Sequence, residues 1–265
     1  MVNVTPDSFS DGGDHAEPDA AIARGLKLMT QGAALVDVGG ESTRPGATPV
    51  PEEEEMRRLM PVVTGLVSAG VPVSVDTYKP AVAAAALSEG AVVVNDVTGF
   101  RDRGMVEVVA GSDCGVVAMH MQGTPIDMHV DPSYDDVVSE VTDYLLEKVE
   151  TLRAAGVDEA RIAIDPGIGF GKRAHHSIDL LAHLDQLAAH GLPVMVGTSR
   201  KGFLGKLVSE DTRSNRDQAT AVANALAYAR GARLFRVHDV ARSRDALKVA
   251  AAIVANQEWD EWLQA

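Results

Sequence analysis

The chain has little cysteine. Cys114 is the only one in 265 residues, which excludes an internal disulfide and a cysteine-rich zinc site. Its place after Asp113, at the start of an apolar run, marks it as a buried structural thiol. Long hydrophobic stretches are missing too. No apolar run approaches the roughly 20 residues of a membrane span. No basic, apolar leader precedes a small-residue cleavage site, so a cytoplasmic protein is expected, with no membrane partner. The eight histidines show no H-E-x-x-H spacing, which argues against a zinc site. Excess positive charge is absent: the net charge of −14 opposes nucleic-acid binding. It would also repel an anionic substrate, so a phosphate site must rest on a local basic cluster.

What is present is a repeating cycle. Helix-period segments lie near 18–31, 52–68, 80–89, 103–111, 134–155, 177–189, 217–230 and 240–256. Ile22, Leu26 and Met29 share one face of the first, and Val138, Val141, Leu145, Val149 and Leu152 share one face of the fifth. Most of these segments stop at a glycine, and a near-continuous apolar run follows, the signature of parallel strands covered on both faces. The runs are 33–38, 71–75, 91–95, 115–120, 162–165, 192–197 and 232–237. With an apolar fraction of 46%, these alternating elements predict one domain over residues 1–265, an α/β chain folded as a (β/α)8 TIM-type barrel. Only Met1-Val2-Asn3 is left for the first strand, which is therefore expected to be truncated. An open doubly wound sheet is the alternative. The tail from Gln257 reads as a surface extension.

The strands share an ending. Asp76, Asn95, Asp165, Lys201 and the pair Arg236 and His238 each follow an apolar run, as groups at the catalytic face of such a barrel would. The carboxylates and amide suit a flat, donor-rich heterocycle such as a 2-aminopyrimidinone ring, to which a carboxylate offers two parallel hydrogen bonds. The Lys, Arg and His suit phosphate. Arg236 and His238 alternate in strand fashion and are expected on one face. Two long loops, Asn3–His15 and Gly39–Ala47, are rich in Gly, Pro, Ser and Asp, and loops of this length are more often functional than decorative. Arg44, in the second, could meet an anion. The stretch Asp165-Pro-Gly-Ile-Gly-Phe-Gly-Lys172 is not G-x-G-x-x-G, so dinucleotide binding is not expected. Ser199 is a candidate helix cap ahead of Lys201. Asp37 reads as a structural buried carboxylate. Glu52–Glu55 form an acidic first turn without function, and His175-His176 a solvated helix start.

Taken in order, these residues resemble the dihydropteroate synthase family. The motifs are Asn3–Gly13, Val36–Gly46, Ser74–Pro80, Val94–Asp96, Met119–Gly123, Asp165–Gly171, Ser199–Lys201 and Arg236–Asp239. The resemblance covers nearly the whole chain. It implies a transferase of folate synthesis that joins (7,8-dihydropterin-6-yl)methyl diphosphate to 4-aminobenzoate and releases diphosphate. It also implies that Asp76, Asn95, Asp165 and Lys201 bind the pterin. Arg236 would pack on the pterin and, with His238, hold the diphosphate. Asn3 would meet Mg²⁺ on the diphosphate, and Arg44 would hold the released anion. Phe9, Thr43, Pro45, Phe170 and Ser199 would form the aminobenzoate site, where sulfonamides compete. A homodimer is expected. Family members carry several residues before the matching Asn, so Asn3 is expected to be loosely held.

Two rival readings share the barrel. A methyltetrahydrofolate–corrinoid methyltransferase would use similar carboxylates but has no need of the diphosphate clamp. A non-catalytic paralogue would hold pterin without turnover, and the presence of Lys201, Arg236 and His238 argues against it.

Overall fold

The computed structural model describes residues 1–4, 16–42 and 49–255. Eight strands are followed in chain: β1 Val2–Asn3, β2 Val36–Gly39, β3 Val73–Asp76, β4 Val93–Asp96, β5 Gly115–Met119, β6 Ile162–Asp165, β7 Val194–Val196 and β8 Ala232–Phe235. Between and after them run α1 Ala16–Thr30, α2 Glu52–Ser68, α3 Pro80–Ser88, α4 Arg103–Ala110 and α5 Val137–Ala154. The series continues with α6 Ala174–Ala182, α7 Leu184–Ala188, α8 Gly202–Gly205, α9 Arg213–Ala229 and α10 Val240–Ala255. The strands hydrogen-bond in sequence order, and every neighbouring pair is parallel. This is the (β/α)8 barrel of the sequence reading, not the open doubly wound sheet.

Valine dominates the strands for a physical reason. Its branched side chain fits a pleated surface buried on both faces. Val36, Val38, Val73, Val75, Val94, Ile164, Val194 and Val196 are fully buried. Leu28, Leu59, Leu66, Leu145 and Leu152 cover them from the helices, each side chain contributing about 1.5–3 kcal/mol by leaving water. The helix–glycine–strand punctuation is present as read. At Gly90, just past α3, φ is 103°, and an added Cβ would come within 2.8 Å of Val67. Cys114 is buried, as expected. Among the described residues, no helix is long and apolar enough to cross a membrane.

The seam between the last strand and the first is closed by polar contacts. The Met1 amine donates to the Val237 carbonyl at 2.9 Å. Arg236 reaches past β1 to Asp37 in β2. β1 itself is two residues long and pairs Val2 with Val38 and Asn3 with Gly39.

Several local expectations need correction. The segment 177–189 is not one helix but two short ones, α6 and α7, which meet at His183. α5 starts at Val137 because Asp136 caps it, its carboxylate accepting from the Val138 and Ser139 amides. α9 starts at Arg213, with Thr212 as its cap. His176 is buried and accepts from the Arg173 amide at 3.2 Å, so the His175-His176 start is only half solvated. Glu52–Glu55 do form the acidic first turn of α2, within which Glu55 is buried and ion-paired to Lys79.

Candidate active site

β3 and β4 carry the first part of the site. Asp76 ends β3 and stands in register with Asn95 in β4. Both side chains are buried, and Asp76 Oδ1 and Asn95 Oδ1 have no hydrogen-bond partner. An orphaned buried acceptor costs about 1–3 kcal/mol, so two side by side are poised for a donor-bearing ligand. Gly39 lies next to Asp76 in register, and a Cβ there would sit 3.4 Å from the Asp76 Cβ, so the bare position leaves room.

β6 supplies Asp165. Its Oδ1 accepts from the Gly167 amide at 2.7 Å. Burial raises its carboxyl to about 6, with the Gly167 hydrogen bond and then Lys201 opposing. The loop that follows lies directly on the end of β5. At Gly167 (φ 66°) an added Cβ would be 1.9 Å from the His120 carbonyl oxygen, and at Gly171 (φ 57°) 2.4 Å from that of Gln122. That approach brings Phe170 under Lys201, whose ammonium is 3.7 Å from the ring centroid. Burial, then Arg236, lowers Lys201 to about 7.

The turn after β7 aims Lys201. Arg200 has φ 58°, an unusual conformation for a non-glycine residue. It is held there by Asp217, bonded at 2.6 and 3.0 Å, and by Thr220, which accepts from its amide at 3.1 Å. Ser199 is not a helix cap. α8 is only four residues long, its N-cap is Lys201, and no side chain caps it. The Ser199 hydroxyl instead lies 2.9 Å from His238 Nδ1 and accepts from the His238 amide at 3.1 Å. In the tautomer where the hydroxyl donates to Nδ1, Nε2–H is left free to donate. Burial, then Arg200, pushes His238 down to about 3, so the ring is neutral at physiological pH.

Arg236 and His238 follow β8, which ends at Phe235, and they take different partners. Arg236 bonds to Asp37 at 2.5 Å and to Asp76 Oδ2; Asp37 is an ion-pair partner, but it is half-buried and not buried as read. His238 turns to Ser199. Burial raises the Asp76 carboxyl and Arg236 opposes it; the ion pair keeps the guanidinium charged.

Asp76, Asn95, Asp165, Phe170, Lys201 and Arg236 therefore gather at one end of the barrel, with Ser199 and His238 beside them. Asn3, at the end of β1, lies in register with Gly39. Phe9, Thr43, Arg44 and Pro45 lie outside the described residues. Two clusters went unread in the sequence. Glu41 accepts from Tyr78 Oη at 2.7 Å, from Lys79 Nζ at 2.6 Å and from the Val50 amide at 3.0 Å. Lys172 is buried against His120. Among the described residues, no three His, Cys, Asp or Glu side chains converge on a point that could hold a metal ion.

A family model described as pterin binding enzyme matches residues 1–238. The dihydropteroate synthase of Mycobacterium leprae is 46% identical over 259 residues, 95% of this chain and 91% of that protein. The chain belongs to the dihydropteroate synthase family. It is a transferase, as the family's members are. Solved dihydropteroate synthase structures are similar throughout. That of Xanthomonas albilineans with 4-aminobenzoic acid has a TM-score of 0.90 at 50% identity, covering 96% of this chain and 91% of that one. The structure from the same organism in complex with 7,8-dihydropteroate has a TM-score of 0.86 at 46% identity, over 96% of this chain and 92% of that one.

Proposed function

We propose that the barrel mouth condenses (7,8-dihydropterin-6-yl)methyl diphosphate with 4-aminobenzoate, giving 7,8-dihydropteroate and diphosphate. The observation that carries this reading is the pair of unpartnered buried acceptors, Asp76 Oδ1 and Asn95 Oδ1, on adjacent strands. A dihydropterin edge supplies the ring N–H and exocyclic amine that such acceptors lack. Asp165 offers its second oxygen to the same ring. Lys201 and Arg236 flank the pterin, and His238 donates Nε2–H to the diphosphate.

In the reaction the bond between the pterin methylene carbon and the bridging oxygen breaks, and its electron pair leaves with diphosphate. The amine lone pair of aminobenzoate forms the new C–N bond, and the nitrogen then loses a proton. The pterin ring can delocalise cationic charge on the methylene carbon. The protein's part is to stabilise the departing anion with Lys201, Arg236 and His238 and to hold the amine in line. No side chain has to form a covalent bond.

The donor at the end of β1 is one neutral amide, Asn3. It fits Mg²⁺, which takes oxygen ligands and keeps much of its octahedral shell as phosphate oxygens and water. Bound there, the ion would neutralise charge on the diphosphate. Phe170 and Ser199, with Phe9, Thr43 and Pro45, form the proposed aminobenzoate site, open to sulfonamides as competitors. Arg44 completes the anion clamp.

The same reading includes a homodimer. Ile178 on α6, Phe203 on α8, Leu207, and Val222 and Leu226 on α9 line an apolar groove of about 640 Å³. Leu207 and Leu226 are more than half exposed there. Light scattering on the purified chain tests it. A cytoplasmic location is also part of the reading.

Incubating the protein with both substrates and Mg²⁺ tests the function. Dihydropteroate should form only when all are present. Pterin binding without product would leave the non-catalytic paralogue in its place.

A further inference from the structure

We propose that Lys172 is a positioning residue: with His120 it staples the 166–172 loop to the end of β5 and so fixes the ring of Phe170 at the barrel mouth. What Phe170 does there rests on the function proposed above.

The geometry at Lys172 is specific. The side chain is 4% exposed. Its Nζ lies 2.8 Å from His120 Nδ1, 3.0 Å from the Phe170 carbonyl oxygen and 3.3 Å from that of His120. An ammonium has three protons, and three acceptors converge on it. Among the described residues no carboxylate pairs with it as a salt bridge. Burial lowers Lys172 to about 7, with Asp165 on β6 opposing and Lys201 after β7 adding to the fall. Burying an ammonium is costly unless every proton is used, and an apolar side chain would fill the same space without that cost. The amine is therefore placed for what it holds: His120 Nδ1 and the Phe170 and His120 carbonyls.

It holds Phe170 by the backbone. The Phe170 carbonyl accepts from Lys172, and its amide donates to Gly167 O at 3.0 Å. The neighbouring Gly171 carbonyl accepts from Tyr134 Oη at 2.6 Å. The loop backbone is thus pinned on both sides of Phe170, whose ring meets the Lys201 ammonium. His120 is the fixed point, since its own amide donates to the Asp165 carbonyl at 3.0 Å. Burial, then Lys172, keeps the ring neutral, so one ring nitrogen is an acceptor, and Nδ1 is the one that faces Lys172.

The test compares Lys172→Met with two variants of its acceptor. His120→Leu removes the acceptor, whereas His120→Asn places an amide oxygen near the position of Nδ1. Lys172→Met and His120→Leu should each raise KM for 4-aminobenzoate about tenfold, with kcat changed less than about threefold, and His120→Asn should stay near wild type. Pterin affinity, measured by calorimetry, should hold within about threefold, since Asp76 and Asn95 are untouched. In a Phe170→Ala background, Lys172→Met should add almost nothing to KM, because the two residues act in series. Additive losses, or an unchanged KM in Lys172→Met, would overturn the proposal. Amide hydrogen exchange at Gly167–Lys172 reads the staple independently of turnover. Faster exchange in Lys172→Met and His120→Leu supports it, and unchanged exchange in both refutes it. If wild type forms no dihydropteroate, the functional reading fails, and the exchange result still decides the staple.

Discussion

Arg236 Nε lies 2.5 Å from Asp37 Oδ2, which ties the residue after β8 to β2 across the whole width of β1. The same guanidinium bonds to Asp76, the residue proposed to bind the pterin. One side chain thus closes the barrel seam and sets the charge at its mouth. Removing it strands the buried Asp76 and the half-buried Asp37, and breaking a buried pair costs about 3–5 kcal/mol. Arg236→Ala should lower the unfolding free energy by that order in urea titration. Among ligands, Arg236→Ala and His238→Ala should weaken pterin diphosphate more than a pterin lacking the diphosphate. Equal losses for both ligands would leave Arg236 only its contact with the ring.

Asp165 is proposed to act as an acceptor and not as an acid or base. Asp165→Asn turns one acceptor into a donor that faces ring donors. Pterin affinity should fall by about 1–3 kcal/mol, the cost of an unsatisfied buried pair. Calorimetry with the pterin substrate measures it, and unchanged affinity would remove Asp165 from the site.

Both ends of the pH range should show in catalysis. Burial holds the Asp165 proton up to about 6, and Asp76 is raised by the same cause. Lys201 is lowered to about 7. The acceptors work ionised and the lysine works protonated. kcat/KM for pterin diphosphate should therefore rise with pH through about 6 and up to about 7, as Asp165 and then Asp76 ionise, and fall above about 7 as Lys201 loses its proton. The sign for stability follows from the raised carboxyl. The folded state holds a proton that the unfolded chain has released, so Asp165 costs stability as pH climbs from about 4, the ordinary aspartate value, to about 6. Asp165→Asn should remove that slope, and a slope unchanged by the mutation would assign the titration elsewhere.

Much of this site was legible because a polar residue at the end of an apolar run is a local signal. Asp76, Asn95, Asp165 and Arg236 all carry it, and so does the barrel that arranges them. What was not legible depends on partners far apart in the chain. Ser199 looks like a helix cap beside its neighbours, but α8 is too short to need one, and its hydroxyl meets His238 instead. Glu41 and Lys79 form their ion pair only once β2 and β3 lie side by side. Arg200 looks like one more cation, and only Asp217 on α9 shows that it shapes the turn.

Gly167→Ala tests how closely the loop must lie on β5. The Cβ would fall 1.9 Å from a backbone oxygen, at a φ of 66° that L residues rarely adopt. Neither the carbonyl nor the loop can yield cheaply. A loss of at least about 2 kcal/mol in stability is expected, with reduced pterin binding, as overpacking and backbone strain combine.

The most direct test of the account is a single turnover. A limiting amount of (7,8-dihydropterin-6-yl)methyl diphosphate is mixed with excess protein, Mg²⁺ and 4-aminobenzoate, and both products are counted. The account predicts one diphosphate released for each 7,8-dihydropteroate formed, with little diphosphate released when aminobenzoate is left out. Bound pterin diphosphate that stays intact in the presence of the amine, or diphosphate release without C–N bond formation, would contradict it.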